Sequence, residues 1–179
     1  MTKAGTINGV AAPNNKSIYD DAVHGSVEII QARQPQEIAL TRELFREYAA
    51  GTGLDLCFQN FEEELSTLPG KYAEPEGRLY LLFEEGEGVA CGALRPFGRD
   101  LGEMKRLYVR PPFRKRGHGT RLCDQLISAA RAIGYRAIVL DTLRSMMEAR
   151  SLYQKLGFVE IDSYYANPLP DVCYMKLTL

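Results

Sequence analysis

The sequence predicts a single α/β domain in which a mixed sheet is flanked by helices. The chain has 179 residues, of which 45% are hydrophobic and 25% are charged, which suits one domain with a single buried core. Short apolar segments typical of strands are interleaved with longer segments whose apolar residues repeat at helical spacing. Two strands are joined by a tight acidic turn at residues 85–88, which predicts an antiparallel hairpin. We therefore expect a mixed sheet rather than a wholly parallel one.

The domain is expected to span residues 26–179. Residues 1–25 are rich in small and polar residues and show no apolar period, so we predict a flexible N-terminal arm there. No run approaches the roughly 18 apolar residues of a membrane span, and the first residues lack the charged start and apolar core of a targeting signal. We therefore expect a cytoplasmic protein without a membrane partner.

The predicted elements follow from the period of the apolar residues and from the breakers between them. Pro111 and Pro112 stop the strand before them, and glycine ends the longer helices. Asn60 is the expected N-cap of a short helix. The predicted order is a strand at 27–33, helices at 35–50 and 60–68, hairpin strands within 77–97, a strand at 102–109, a helix from Gly119 or Thr120 to Gly134, a strand at 136–142, a helix at 146–156, and strands at 158–165 and 172–179.

Charge and cysteine spacing argue against several classes of function. Lysine plus arginine number 22 and aspartate plus glutamate 23, so the net charge of −1 gives no overall field for nucleic acid or anionic lipid. The four cysteines are far apart without a CxxC pair, and only His24 and His118 are present to join them. We therefore expect no metal site, no disulfide framework and no nucleic-acid partner.

The most specific motif is the segment RKRGHGT at residues 114–120, between a predicted strand and a predicted helix. A helix start presents unsatisfied backbone N–H groups and the positive end of the helix dipole, which suit a phosphate. Gly117 and Gly119 let the main chain approach such an anion, and three basic residues add local charge. No Gly-Lys-Ser/Thr ends the segment, and Leu122 stands where a GxGxxG loop would have its third glycine. The segment therefore predicts a phosphorylated ligand but neither common nucleotide loop.

Two motifs together resemble those of the GCN5-related N-acetyltransferase (GNAT) family. The loop reads Arg-x-x-Gly-x-Gly at residues 114–119, and the pattern Ala-x-x-Leu-Tyr-x-x-x-Gly-Phe occupies residues 149–158. The order of elements over residues 27–179 is similar as well. The resemblance implies a mainly antiparallel central sheet flanked by helices, and an enzyme that acetylates an amine with acetyl-CoA as the acyl donor.

The resemblance also implies which residues hold the cofactor. Main-chain groups of the strand before the loop would pair with the pantetheine arm, and amides of the loop would hold the pyrophosphate. The implied cofactor-binding residues are Leu107, Tyr108, Val109, Arg114, Lys115, Arg116, Gly117, His118, Gly119 and Thr120. The His118 imidazole is given no chemical role. Met146 departs from the family, whose members often place an asparagine there to contact the cofactor.

Two residues are predicted to handle protons. An alkylamine has a pKa of about 10.4 and must lose a proton before it attacks. Glu103 matches the position of the glutamate base in the family's histone-modifying members, with an ordinary charged residue at a strand start as the equal alternative. Tyr153 matches the family's tyrosine that protonates or stabilises the leaving thiolate. No cysteine is placed by a motif to form an acyl-enzyme, so we expect direct attack in a ternary complex.

The acceptor is expected to enter opposite the cofactor, between the first two helices and the last strands. Aromatic and polar residues in these segments predict a pocket lined by Tyr48, Phe58, Gln59, Phe61, Tyr164, Tyr165 and Asn167. Simple packing is the alternative for each. The sequence has no legible acidic groove for a basic peptide, which favours a small-molecule amine over a protein tail. A non-catalytic acyl-CoA sensor is the competing hypothesis, and the oligomeric state stays open, with a homodimer among the options.

Overall fold

The computed structural model describes residues 26–52, 60–169 and 171–179. The arm predicted at residues 1–25 lies outside these ranges. The elements, in chain order, are β1 (Val27–Gln31), α1 (Pro35–Thr52), α2 (Phe61–Thr67), β2 (Arg78–Glu84), β3 (Glu87–Pro96), β4 (Leu101–Val109), α3 (His118–Ile133), β5 (Ala137–Leu143), α4 (Met147–Lys155), β6 (Val159–Ile161) and β7 (Val172–Thr178). Short 3₁₀ turns at Gly70–Tyr72 and Pro111–Phe113 precede β2 and α3.

The strands form one mixed sheet in the order β1-β2-β3-β4-β5-β7-β6, which confirms the predicted fold class. Among the described strands, β4 and β5 are the one parallel pair, and every other neighbouring pair is antiparallel. The predicted hairpin is formed by β2 and β3. Its two-residue turn has positive φ at Glu85 (52°) and Gly86 (81°), the geometry that matches the twist of paired strands.

Helices cover both faces of the sheet. α1 and α2 pack on one face over a cluster that includes Leu44 and Phe45 of α1. α3 and α4 pack on the other face, and α3 contributes Leu122, Leu126 and Ala130, which repeat every four residues along one side of the helix. In the ranges described, no helix is both long and apolar enough to cross a membrane.

Three local features differ from the prediction. α3 begins at His118, slightly before the expected start. β6 ends at Ile161 instead of continuing to residue 165, because Tyr164 and Tyr165 leave the sheet and donate hydrogen bonds to buried carboxylates. Asn60 occupies the N-cap of α2 as predicted, but its φ of 55° is left-handed and its side chain makes no capping hydrogen bond.

β4 and β5 separate halfway along their length. Their pairing ends at Glu103 and Val139, although β4 continues to Val109 and β5 to Leu143. Beyond that point the β5-facing edge of β4 has no strand partner, and an unpaired edge is a template for further extended chains. The separation opens a cleft through the sheet.

A bulge in β4 decides which side chains face this cleft. One residue of β3, Gly92, lies opposite both Arg106 and Leu107, and Arg106 has a φ of 57°. Met104 and Leu107 both pack in the α3 cluster. Lys105 and Arg106, which lie between them, are therefore both directed to the face covered by α1 and α2.

The fold predicts that Gly77, just before β2, cannot be replaced by a residue with a side chain without loss of stability. A Cβ at Gly77 would lie 2.6 Å from the Cα of Tyr72, and backbone cannot move aside as a flexible side chain can. We expect Gly77→Ala to lower the free energy of unfolding by about 1–3 kcal/mol. The matched control is Gly51→Ala near the end of α1, where nothing lies within 4 Å of the added methyl group. Urea denaturation measures both variants, and equal midpoints would contradict the expectation.

Candidate functional site

An open groove of about 1010 Å³ lies between the end of β4, the loop before α3, and α4. All of the predicted cofactor-binding residues except Arg116 line it. The groove therefore brings together two motifs that are separated in sequence, the loop at 114–119 and the segment at 149–158.

The strand wall of the groove is formed by Leu107, Tyr108 and Val109. On one side these residues belong to the ladder with β3, but on the β5 side the pairing has already ended. The Val109 carbonyl accepts a hydrogen bond from Arg114 Nε at 3.0 Å. An extended ligand that contains amides can add to this edge as another strand would.

The loop wall is a helix start without a side-chain cap. Gly117 is the N-cap of α3 and has a φ of 85°, a conformation that glycine adopts without steric cost. The first-turn amides, from His118 to Thr120, have no partner inside the helix and receive no cap. Uncapped amides together with the helix dipole make an anion-binding site. A Cβ at Gly119 would lie 3.3 Å from Leu152 Cδ2, so α4 packs closely against this turn.

The basic side chains of the loop have different surroundings. Lys115 is 82% exposed, and its Nζ lies 3.6 Å from Glu148. Arg116 instead donates to Glu84 at 2.8 Å and to the Pro112 carbonyl at 3.1 Å, and its guanidinium lies 5.0 Å from the ring centroid of Phe113. Arg116 therefore braces the loop against the end of β2.

His118 is buried behind the loop. Its Nε2 lies 3.5 Å from Glu84 Oε1, and neither ring nitrogen makes a hydrogen bond within the described part of the chain. The imidazole packs between the loop and β2, so Glu84 contacts both Arg116 and His118. That the pyrophosphate is bound by the His118 amide, and not by its ring, stays a prediction.

A smaller cavity lies deeper in the cleft, between β4, β5 and α4. It shares Tyr48, Leu107, Met146 and Ala149 with the groove, so the two spaces meet at these residues. Met146 therefore lies where the groove and the inner cavity meet. It replaces the asparagine that is common at this position in the family that the sequence resembles. Its thioether sulfur accepts a hydrogen bond from the Thr142 hydroxyl at 3.6 Å. A thioether is a weak acceptor and has no donor, so it does not reproduce an amide.

Tyr153 lines the inner cavity. Its residue surface is 7% exposed, and its hydroxyl makes no hydrogen bond with any residue that the structure describes. Burial raises the pKa of Tyr153 well above its ordinary value. The phenol is therefore protonated at neutral pH and available as a donor in the cavity.

Glu103 lies where β4 and β5 part, and it is 1% exposed. Its Oε2 accepts a hydrogen bond from Arg95 at 2.6 Å, and its Oε1 accepts one from the Tyr164 hydroxyl at 2.9 Å. Lys105 Nζ lies 3.8 Å from Oε1. Both carboxylate oxygens thus have partners, and the role of Glu103 as a base stays a prediction.

Lys105 joins Glu103 to a second carboxylate across the cleft. Its Nζ donates to Asp141 of β5 at 2.8 Å, and the Tyr165 hydroxyl donates to the same carboxylate at 3.0 Å. The amide of Asn167 donates to the Tyr165 hydroxyl at 2.7 Å. Burial by itself raises the pKa of Asp141, but the charge and hydrogen bond of Lys105 lower it overall. Asp141 lines the inner cavity.

Arg106 forms a further ion pair, with Glu64 of α2. Its Nε and Nη2 donate to the two carboxylate oxygens at 3.0 and 2.6 Å. Burial by itself raises the pKa of Glu64, whereas the hydrogen bond and charge of Arg106 lower it overall. The guanidinium lies 5.8 Å from the ring centroid of Tyr48 and 5.1 Å from that of Phe61, and Arg106 also lines the inner cavity.

The predicted acceptor residues divide into three groups. Tyr48 lines both the groove and the inner cavity. Phe61 packs under a guanidinium, while Tyr164 and Asn167 hydrogen-bond within the carboxylate network. Phe58 and Gln59 lie outside the described residues.

The sequence analysis did not identify the charged residues of the cavity and its network: Glu64, Arg95, Lys105, Arg106 and Asp141. One signal was present, because the predicted strand at 102–109, which is an inner strand in the structure, has charged residues at positions 103, 105 and 106. Charges in a central strand are buried, and buried charges must be paired. In the described ranges, no group of three or more histidine, cysteine, aspartate or glutamate side chains is placed to hold a metal.

The fold and the site together are typical of an enzyme class: an uncapped helix start and an open strand edge line a groove that meets a charged inner cavity. The chain belongs to the acetyltransferase (GNAT) family, whose model matches residues 38–158.

Individual relatives agree with this assignment. The chain is 38% identical over 156 residues to an uncharacterized N-acetyltransferase of Schizosaccharomyces pombe, covering 86% of this chain and 96% of that relative. An acetyltransferase structure from Streptococcus agalactiae has the same fold, with a TM-score of 0.71, 21% identity, and coverage of 86% of this chain and 98% of that one. A structure from Salmonella typhimurium that holds its cofactor acetyl-CoA matches with a TM-score of 0.63 and 18% identity, covering 85% of this chain and 93% of that one.

The brace at Glu84 yields a prediction about ligand affinity. Glu84→Gln removes the charge that holds Arg116 and faces His118, so the loop loses its fixed position. We expect the Kd for coenzyme A to rise about threefold, because a half-exposed ion pair contributes about 1 kcal/mol or less. Glu148→Gln is the comparison, since it removes an exposed carboxylate that contacts Lys115 and lines the same groove but holds no part of the loop against β2. Calorimetric titration measures both, and a larger effect at Glu148 would refute the bracing role.

Proposed function

We propose that the protein transfers the acetyl group of acetyl-CoA to the amine of a small-molecule acceptor, by direct attack in a ternary complex. The observation that carries this proposal is that the groove and the inner cavity meet at Tyr48, Leu107, Met146 and Ala149, with Tyr153 on the inner side. Two substrates that enter from opposite faces of the sheet would therefore meet beside a protonated phenol. Such an arrangement needs no covalent intermediate on the enzyme.

The groove suits acetyl-CoA in shape and in chemistry. The uncapped start of α3 offers amides and a positive dipole to the pyrophosphate, and the open edge of β4 offers main-chain groups to the amides of the pantetheine arm. The matching structure from Salmonella typhimurium holds acetyl-CoA on the same fold, which supports this choice of donor. Acetyl-CoA supplies the activated thioester for the reaction.

The chain supplies the groups that handle protons. The Tyr153 hydroxyl would donate a proton or a hydrogen bond to the sulfur as the carbon–sulfur bond breaks. On the acceptor side, Asp141 lines the cavity and is linked through Lys105 to Glu103. We propose that the amine meets Asp141, which would accept its proton, and that the predicted base Glu103 acts indirectly, by holding Lys105 beside Asp141.

Replacement of Tyr153 by phenylalanine tests the acid. Tyr153→Phe should lower kcat by at least about tenfold, since general acid catalysis contributes about 10²–10⁴-fold. The Kd for coenzyme A should change little, because only the hydroxyl is removed. Tyr135→Phe is the matched control, as that phenol is also buried but donates to the Glu76 carbonyl, away from both cavities. An unchanged kcat in Tyr153→Phe would remove this residue from the chemistry.

Substitutions in the loop test where the donor binds. Gly119→Glu should abolish binding of coenzyme A, because it adds negative charge at the pyrophosphate site and bulk against Leu152. Lys115→Ala should weaken binding only several-fold, because the side chain is largely exposed. Gly119→Ala separates the steric contribution from the charge. Equal and small effects of all three changes, measured by calorimetry, would refute the assignment of this loop.

The competing hypothesis is an acyl-CoA-binding sensor without catalysis, which would share every donor-binding residue. The phenol of Tyr153, which has no hydrogen-bond partner among the described residues, and the charged inner cavity favour catalysis, because a sensor needs neither. Thiol release from acetyl-CoA, measured against a panel of amines, separates the two. Cofactor binding without amine-dependent thiol release would support the sensor. Location in the cytoplasm stays a prediction.

A further inference from the structure

The inner cavity offers donors for an anion on its β4 side. Arg106 uses Nε and Nη2 for Glu64, and its Nη1 has no carboxylate partner in the part of the chain that the structure describes. The Tyr48 ring lies 5.8 Å from this guanidinium, and both residues line the cavity. The β4 bulge makes this possible, because it turns Arg106 to the same face as Lys105.

The β5 side of the same cavity offers an acceptor for a cation or an amine. Asp141 lines the cavity opposite β4, and its carboxylate is held by Lys105 and Tyr165. The negative charge of Asp141 also affects the pKa of Tyr48, another residue that lines the cavity. Burial is the largest cause of the raised pKa of Tyr48. The charge of Arg106 lowers this pKa, and the charge of Asp141 raises it. The cavity thus has a cationic side and an anionic side.

Among the residues that the structure describes, the buried ion-pair network around the cavity has no net charge. Four ion pairs join β4, β5, β3 and α2, and they are formed by three cations and three carboxylates: Arg95, Lys105 and Arg106, and Glu64, Glu103 and Asp141. A simple cationic amine or a simple anion would leave this desolvated region with an uncompensated charge, which is costly. A ligand that carries both a carboxylate and an amine adds no net charge.

From these contacts we infer that the acceptor is an amino acid, with its carboxylate at Arg106 and Tyr48 and its amine directed to Asp141. This inference rests on the proposed function and specifies its acceptor. It assigns Arg106 and Tyr48 to specificity rather than to proton transfer. In this orientation the amine lies toward the Tyr153 side of the cavity, where the thioester would enter through the junction at Leu107.

A comparison of matched acceptors on the unmodified enzyme tests the inference. Thiol release from acetyl-CoA is measured for the twenty common amino acids, for their amides, and for the amines formed by loss of the carboxylate. The best amino acid should have a kcat/KM at least about tenfold above its amide and its decarboxylated amine, because a charge-assisted hydrogen bond is lost. The amides have the less basic amine, so reactivity alone would favour them.

The outcomes separate the inference from the proposed function. If an amino acid and its amide are acetylated equally well, the carboxylate is not recognised and the inference is wrong, while the proposed function stands. If no member of this panel releases thiol although coenzyme A binds, the inference is wrong, and the proposed function fails as well when the wider panel of amines also gives no release.

Variants then locate the recognition. Tyr48→Phe should raise KM for the best amino acid about threefold or more and leave KM for its amide unchanged, because only the hydroxyl donor is lost. Arg106→Lys should raise the ratio of KM for the amino acid to KM for its amide by more than Tyr48→Phe does. Circular dichroism and the unfolding midpoint must show that the Arg106→Lys protein is folded. Should Tyr48→Phe alter acid and amide equally, the carboxylate position assigned to Tyr48 is overturned without recourse to the Arg106 variant.

Discussion

The site depends on the separation of β4 from β5 after Glu103 and Val139. Had the two strands stayed paired along their full length, their ladder would have occupied the edge that is open at Leu107 to Val109. Side chains bridge the gap instead, since Lys105 on β4 reaches Asp141 on β5 at 2.8 Å. A contact between side chains keeps the two backbones farther apart than the spacing of strands that are paired by backbone hydrogen bonds. The groove and the inner cavity are the two ends of this one opening.

Charges that are buried in such an opening constrain each other. Removal of one partner leaves an unpaired buried charge, which costs several kcal/mol. The network therefore holds its members in place: Glu64 fixes Arg106 from α2, and Arg95 and Tyr164 fix Glu103. The acceptor side of the site consequently requires α2, β3, β4, β5 and the segment after β6 together. The proposed donor side consists of the end of β4, the loop and α4, with a brace from Glu84 at the end of β2.

This difference explains which parts could be predicted. The donor-binding groups depend on short-range chemistry, since Gly117 ends a loop and begins a helix in any context that continues with an amphipathic segment. The loop was accordingly predicted from residues 114–119, and Tyr153 from its own motif. The resemblance implied a role for the Arg116 amide, whereas the direction of its side chain depends on Glu84, which is remote in sequence, as well as on the nearby Phe113.

The sequence by itself determined the order of strands and helices, the antiparallel hairpin, the glycine-rich loop before α3 and the resemblance to the acetyltransferase family, because these follow from local periodicity and compact motifs. Only the tertiary structure decided the charged cavity. Lys105 and Arg106 face the same side because of a bulge, and a bulge depends on how β3 pairs with β4 rather than on the residues of β4 alone. Asp141 and Glu64 reach them through long-range packing, which no periodic pattern records.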